Sequence, residues 1–340
     1  MQEILCEKPV YYDAFQCTGN TTCIDSCCFA WVLPMDPETV ELYQKMEGET
    51  GEYLRSHIFE ENGEWFIRLK EHGRCPFLTD DRLCSVRLRC GEKAQIRICD
   101  IYPREQEVMV GNYRQDRLLI ACSEVARLLY TQPGDRLEFV KTKEETPKEI
   151  SPELLQKTRA LLAFRDGMVE ALQAGAFDER LFGTYETKEE FASLLDDALY
   201  FEGHELSEQV FVRVRALLDH ADALRKAFYE SCKEAKFYMR RTAAYFAHRQ
   251  LLDAVQDGSI EGPLISVFRG IHLLELIALA RFEEKGSFDL DDMIFSAHIY
   301  GLTFEISMHN VNLMKQVRNT AKDADYPEGE NSALRPMLYP

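Results

Sequence analysis

Residues 15–28 read FQCTGNTTCIDSCC and place four of the chain's eleven cysteines, Cys17, Cys23, Cys27 and Cys28, within twelve residues. A packed core has no use for such crowding, because buried cysteine behaves as a small hydrophobe that leucine or alanine could replace. Disulfides or a metal are the physical reasons that remain. An odd cysteine count suits a fully paired disulfide framework poorly. The opening MQEILCEKPVYYDAF has no basic segment followed by an apolar one, so no secretory signal is expected and the chain reads as cytoplasmic. Thiols stay reduced in that compartment, which makes metal the better explanation.

At 340 residues the chain can bury one large core or two ordinary ones without staples. Its composition, 46% hydrophobic and 29% charged, is globular. A net charge of −18 argues against a non-specific nucleic-acid binder, which needs a basic face to neutralise phosphates. The charge tolerates a basic protein substrate, although solubility alone also accounts for it. No uninterrupted apolar run approaches the roughly 18–20 residues of a membrane helix. The nearest, GIHLLELIALARF at 270–282, is broken by His272, Glu275 and Arg281. Neither nucleic acid nor membrane is an expected partner.

Ten cysteines precede residue 123, and only Cys232 follows. The expected fold is mainly α: a cysteine-rich, metal-binding α+β domain over 1–140, a helical bundle or array over 150–320, and a flexible polar tail over 321–340. In the head, Asp36 caps a helix over 36–46 with Pro37 at its first position. EWFIRL at 64–69 reads as a strand, 107–121 as a hairpin turning near Gly111-Asn112, and SEVARLLY at 123–130 as a short helix. TQPGD at 131–135 and the charged KTKEETPKE at 141–149 mark the boundary. Beyond it Ser151 starts a helix and Thr187–Glu190 forms a capping box. Apolar spacing of three and four predicts helices over 207–228, 230–256, 263–283 and 290–318, the last capped by Asp289.

The cysteines come in short motifs: Phe-x-Cys at Cys17, Cys-x-x-x-Cys-Cys at Cys23, Cys27 and Cys28, then Cys-Pro-Phe-Leu at Cys75. Leu-Cys at Cys84, Cys-x-x-Tyr-Pro-Arg at Cys99 and Cys-x-Glu-x-Ala-Arg at Cys122 complete the series. In this order the motifs resemble the flagellin lysine-N-methylase family, within a larger group of cysteine-rich iron- or zinc-chelating proteins. The resemblance is dense over 15–130 and general beyond. It implies methyl transfer from S-adenosylmethionine to a protein lysine, with flagellin the expected substrate. It also favours a [4Fe–4S] cluster, with Zn2+ the alternative, because a thiolate ligand set suits both metals.

The spacing has its own logic. Were 23–28 helical, Cys23 and Cys27 would share a face, and Cys28 would point about 100° away. Four thiolates satisfy one cluster or one tetrahedral zinc. The eight motif cysteines exceed that, so one cluster with spare thiols and two separate sites both stay open. Cys6, Cys90 and Cys232 match no motif and read as ordinary thiols. His298 and His309, eleven apart on the expected last helix, lie about 16 Å apart and cannot share a metal.

There is no G-x-G-x-x-G opening a βαβ unit, so the usual methyltransferase nucleotide fold is not indicated. The three-cysteine C-x-x-x-C-x-x-C loop of radical clusters is also missing, since position 30 is Ala30. If the family's activity carries over, a protonated lysine must lose its proton before it can attack, and then align with the methyl–sulfur bond. Tyr102 could accept that proton or neighbour the sulfonium, or be a core tyrosine. Glu124 could take the proton or hold the cofactor's amino group; it could equally be a helix N-terminal carboxylate. Arg104 could clamp the cofactor's carboxylate or pair with a nearby acid. Trp31 is expected to wall the metal pocket or the cofactor. The other class of function is a non-catalytic metal-binding module, a redox sensor that docks a partner through exposed low-pKa thiolates.

Overall fold

The computed structural model describes residues 2–18, 23–24, 27–28, 33–71, 74–146, 149–175, 188–201 and 205–316. Trp31, Thr187 and the expected tail lie outside the described residues.

Strand β1 (Gln2–Pro9) is followed by helices α1 (Pro37–Lys45) and α2 (Gly48–Ser56), then by β2 (Ile58–Glu61) and β3 (Glu64–Ile67). Two short helices come next, α3 (Ser85–Cys90) and α4 (Arg97–Ile101). Strands β4 (Arg104–Val110) and β5 (Tyr113–Leu118) lead into α5 (Ser123–Thr131) and β6 (Phe139–Thr146). The rest of the described chain is helical: α6 (Pro152–Gln173), α7 (Lys188–Phe201), α8 (Glu205–Leu217), α9 (Ala221–Ser231) and α10 (Ala235–Gln250). A 3-10 turn at Leu251–Asp253 precedes α11 (Ala254–Asp257), α12 (Glu261–Lys285), α13 (Leu290–Phe304) and α14 (Met308–Lys315). The fold is mainly α.

The main sheet runs β4-β5-β1-β6, with β1 parallel to β5 and antiparallel to β6. The charged run expected to mark a boundary is therefore largely a strand, paired with β1 from Gln2–Thr146 to Pro9–Phe139. It has no apolar face to betray it, because an edge strand is kept soluble by charge. The β4–β5 hairpin turns where expected, with Gly111 at φ 57°. The strand expected at 64–69 ends at Ile67, and its partner β2 went unpredicted. Asn62 and Gly63 between them both have positive φ (53° and 84°), as a two-residue type I′ turn requires.

Three long expected helices are broken. The 207–228 stretch divides between α8 and α9, and 230–256 begins later and ends in the 3-10 turn. The 290–318 stretch breaks after Phe304, and Ser307 Oγ caps α14 by accepting the Asn310 N–H at 3.2 Å. Apolar periodicity carries across such breaks, since both halves face the same core. The Asp289 cap is present as a full capping box with Asp292.

The hydrophobic cores divide differently from the cysteines. A large core joins Tyr11, Ile120 and Leu129 to Phe246, Leu274 and Ile299 of the helical body. A small separate core gathers Leu33, Tyr43, Leu54, Ile67, Phe77 and Ile96. Helix α12 contains the interrupted 270–282 run. By length and composition alone it could cross a membrane, but its most apolar stretch is 94% buried inside the protein. Glu275 within it is answered by Arg225 Nε at 3.0 Å and by the Tyr229 hydroxyl at 2.6 Å, so a buried charge is paired rather than stranded.

Candidate metal centre and adjoining cavity

A cavity of about 480 Å3 lies beside the small core. Six of the eight expected ligands line it, Cys17, Cys27, Cys28, Cys75, Cys84 and Cys99, together with Tyr102 and Arg104. Residues from five sequence motifs thus share one cavity of a size typical for small-molecule sites.

Local structure explains how they meet. The described residues of 23–28 are not helical: Cys27 and Cys28 occupy a turn. The adjacent thiols therefore touch instead of diverging as they would on a helix. The Cys28 carbonyl accepts the Cys75 N–H at 2.7 Å, and the Cys28 and Cys75 thiols are in contact. Leu78 bridges to Cys84, which is the N-cap residue of α3. Cys99 sits in α4, whose first amide, Arg97 N–H, donates to Asp36 Oδ2 at 2.8 Å. Asp36 Oδ1 accepts the Thr39 N–H at 2.9 Å, so the carboxylate expected to cap α1 also anchors the helix carrying Cys99.

The thiols resist ionisation as they stand. Contact with Cys28, then burial, pushes Cys27 well up; the same two causes raise Cys75. Burial, followed by proximity to Cys28 and Cys84, raises Cys99. Burial raises Cys84 against the opposing pull of the Arg87 and Val86 amides. Cys122 is pushed up to about 12 by burial, which outweighs the Val125 and Glu124 amides at the start of α5. Crowded, desolvated thiols repel one another as thiolates, and a cation among them removes the penalty for all. The donor set thus fits a thiolate-held metal group. Among the described residues, no three His, Cys, Asp or Glu side chains converge closely enough to hold a single metal ion.

The other expected site residues separate. Burial, with Cys122 and Cys27 nearby, pushes the Tyr102 hydroxyl well above its ordinary range. Such a group stays a neutral phenol, which weakens its role as proton acceptor. The Arg104 guanidinium lies over the rings of Phe15 (5.1 Å) and Tyr12 (5.5 Å), and Nη2 donates to the Phe15 carbonyl at 3.4 Å. Aromatic stacking, rather than the acid considered from sequence, holds it at the cavity wall. Glu124 does not line the cavity; it faces Arg127 at 3.8 Å in the first turn of α5. Cys23 and Cys122 are also outside the lining, with Cys23 Sγ 3.6 Å from Thr18 Oγ1. His298 and His309 lie on separate helices, and His298 Nδ1 meets the Ala121 carbonyl at 2.6 Å in the core.

Sequence reasoning missed the residues that hold the Cys122 segment. Leu119 N–H donates to the Pro103 carbonyl at 3.0 Å, tying 118–122 to the Tyr102-Pro103 corner. The Tyr245 hydroxyl donates to Glu305 Oε1 (2.6 Å), and Ala121 N–H donates to Glu305 Oε2 (3.2 Å). A Cβ on Gly301 would collide with the Ala121 backbone, so α13 and this segment pack at the closest possible approach. Nothing local marks these residues; Glu305, for one, lies 184 positions from its partner Ala121.

The chain resembles known proteins over part of its length. It is 32% identical over 139 residues to the lysine-N-methylase of Salmonella typhimurium and, to the same degree, to that of Salmonella choleraesuis. Each match covers 39% of this chain and 34% of the relative's length. It is also 31% identical over 139 residues to the flagellar biosynthetic protein FliU of Salmonella muenchen, covering 39% of this chain and 81% of FliU. No family model matches the chain, and no solved structure matches it. With most of FliU covered at this identity, the chain belongs, as a distant member, to the family of FliU and the lysine-N-methylases.

Proposed function

We propose that this protein is an S-adenosylmethionine-dependent protein lysine N-methyltransferase that carries an iron–sulfur cluster and acts on flagellin in the cytoplasm. One observation carries the reading: a single cavity brings six motif cysteines together with Tyr102 and Arg104. The relatives named lysine-N-methylase support the reaction class, and the flagellar name of FliU supports the substrate.

The donor chemistry favours a cluster over zinc. Tetrahedral zinc with bonds of about 2.3 Å needs its sulfurs roughly 3.8 Å apart. Cys28 touches both Cys27 and Cys75, yet no three thiols converge on one point among the described residues, and ligands gathered around a cavity in this way suit a polynuclear centre. When bound, such a centre would supply positive charge to the thiolates. Arg104, fixed by two aromatic rings, offers a fork for a carboxylate. The Tyr102 face offers a π surface to a sulfonium, whose charge vanishes on methyl transfer. A substrate lysine must arrive deprotonated, and a desolvated, cation-bearing enclosure lowers an ammonium pKa in the required direction.

The redox-sensor alternative calls for exposed thiols with lowered pKa, whereas Cys27, Cys75, Cys84, Cys99 and Cys122 are all raised. The deciding experiment offers labelled S-adenosylmethionine and flagellin to anaerobically purified, iron-loaded protein, then maps methyl groups on flagellin lysines by mass spectrometry. Incorporation that depends on Arg104 supports the enzyme. No incorporation by protein with an intact cluster defeats it.

A further inference from the structure

We infer that Cys28, Cys75, Cys84 and Cys99 are the ligand set of the metal centre, and that Cys17, Cys23, Cys27 and Cys122 are not. The inference rests on the reading above that a thiolate-held cluster is bound, and it names the residues that hold it.

Three independent features set this quartet apart. The first is membership of one core: Cys75 is part of the small hydrophobic core, and Cys28, Cys84 and Cys99 pack against it. Cys122 instead packs against the large core. The second is backbone fixation. Cys28 and Cys75 are joined by a 2.7 Å hydrogen bond, Cys84 lies in the bridge to Leu78, and Cys99 rides on the helix tethered to Asp36. Ligands held by short backbone links keep the geometry that a cluster demands. The third is mutual proximity. Cys28 touches Cys75 and neighbours Cys84 and Cys99, which neighbour each other. All four line the cavity.

The remaining thiols form a different neighbourhood. Cys122 lies near Cys23 and Cys17, and neither Cys122 nor Cys23 lines the cavity. Cys17 is exposed. Cys27 stands between the two groups, near Cys28 and Cys99 on one side and Cys17 on the other, but it is not packed against the small core. Cys90, although in that core, directs its sulfur to the Met46 sulfur at 4.0 Å. Four thiolates complete a [4Fe–4S] cluster, and the quartet meets that number without Cys27.

The test reconstitutes the full chain anaerobically with ferrous iron and sulfide, and measures iron and acid-labile sulfide per chain, visible absorption and electron paramagnetic resonance. Single Cys→Ser variants at 28, 75, 84 and 99 are expected to lose more than half of the bound iron or to change the cluster's resonance signature. Cys17→Ser, Cys23→Ser, Cys27→Ser and Cys122→Ser are expected to keep wild-type iron and an unchanged signature. The second group is decisive even where a variant of the first fails to fold, because full iron in those four leaves only the quartet among the motif cysteines. Loss of iron from Cys17→Ser, Cys23→Ser, Cys27→Ser or Cys122→Ser, with helical circular dichroism intact, overturns the assignment while leaving the cluster in place. Wild-type protein that takes up no iron defeats the cluster reading itself, and the assignment with it.

Discussion

The small core around the cysteines and the large core of the helical body solve the folding problem by different means. In the body, α12 is surrounded by other helices, and side chains such as Phe246, Leu274 and Ile299 are fully buried, so apolar burial is the main source of stability. In the small core, four short helices, α1 to α4, a two-stranded hairpin and irregular loops bury few large side chains between polar segments. That region leans on specific ties: the Asp36 carboxylate, the Tyr43 hydroxyl donating to the Ala94 carbonyl at 2.9 Å, and the proposed centre. The lesson is that segments poor in apolar mass keep their shape through directional bonds, and this is where thiols accumulate.

The contrast can be broken most forcefully by stripping metal. A chelator is expected to expose the amides of 33–101 to hydrogen exchange while α12 and α13 stay protected, because structural metal binding contributes to folding directly. Uniform protection after removal would show that the small core stands unaided. Phe246→Ala attacks the other side. It removes a ring packed 4.7 Å from Tyr300, and should cost about 3–5 kcal/mol by urea denaturation. Because Ile120 and Leu129 share that core, the segment bearing Cys122 should loosen as well.

Gly301→Ala probes the packing of α13 on the Cys122 segment. Its added methyl meets the Ala121 backbone and should destabilise by about 1–3 kcal/mol, with faster exchange at Ala121 and Cys122. Unchanged exchange there would mean that α13 does not set the position of this segment.

A separate expected effect is pH dependence confined to the body and main sheet. Burial raises Glu7, but the bond to His248 (2.6 Å) and the Arg165 charge (2.7 Å) prevail and lower it to about 2. Burial, only partly offset by Glu7, lowers His248 to about 4; burial does the same to His272. Unfolded histidines take up protons near 6.5, and unfolded glutamate near 4.5. In both cases the unfolded chain binds protons first, so this stability is complete above about pH 6.5. The histidine share is lost as pH falls from 6.5 through 4, and the Glu7 share is lost from 4.5 toward 2. Thermal melting from pH 7.5 to 4 should show the decline, and His248→Gln should shallow it. A slope unaffected by that change removes His248 from the account.

Much of this was legible beforehand, and what escaped did so for physical reasons. The Asp36, Ser151 and Asp289 caps could be read because a cap is a local bond between neighbours. The β4–β5 hairpin was marked by its glycine turn. Strand β1 with its buried Glu7, and β6 with its charged faces, lack alternating apolar residues; only pairing with each other makes them strands. Glu124 sits beside Cys122 in sequence but does not line the cavity, a relation only the folded chain sets.

By itself, the sequence determined the mainly helical character, the cysteine crowding and the membership of a family, because composition, local caps and motif order survive without knowledge of contacts. Only the tertiary structure decided which thiols share a cavity, which carboxylate anchors Cys99 and which helix presses on the Cys122 segment. Those are relations between residues up to 184 positions apart, such as Ala121 and Glu305, and they come into being only when burial brings distant segments within hydrogen-bonding reach.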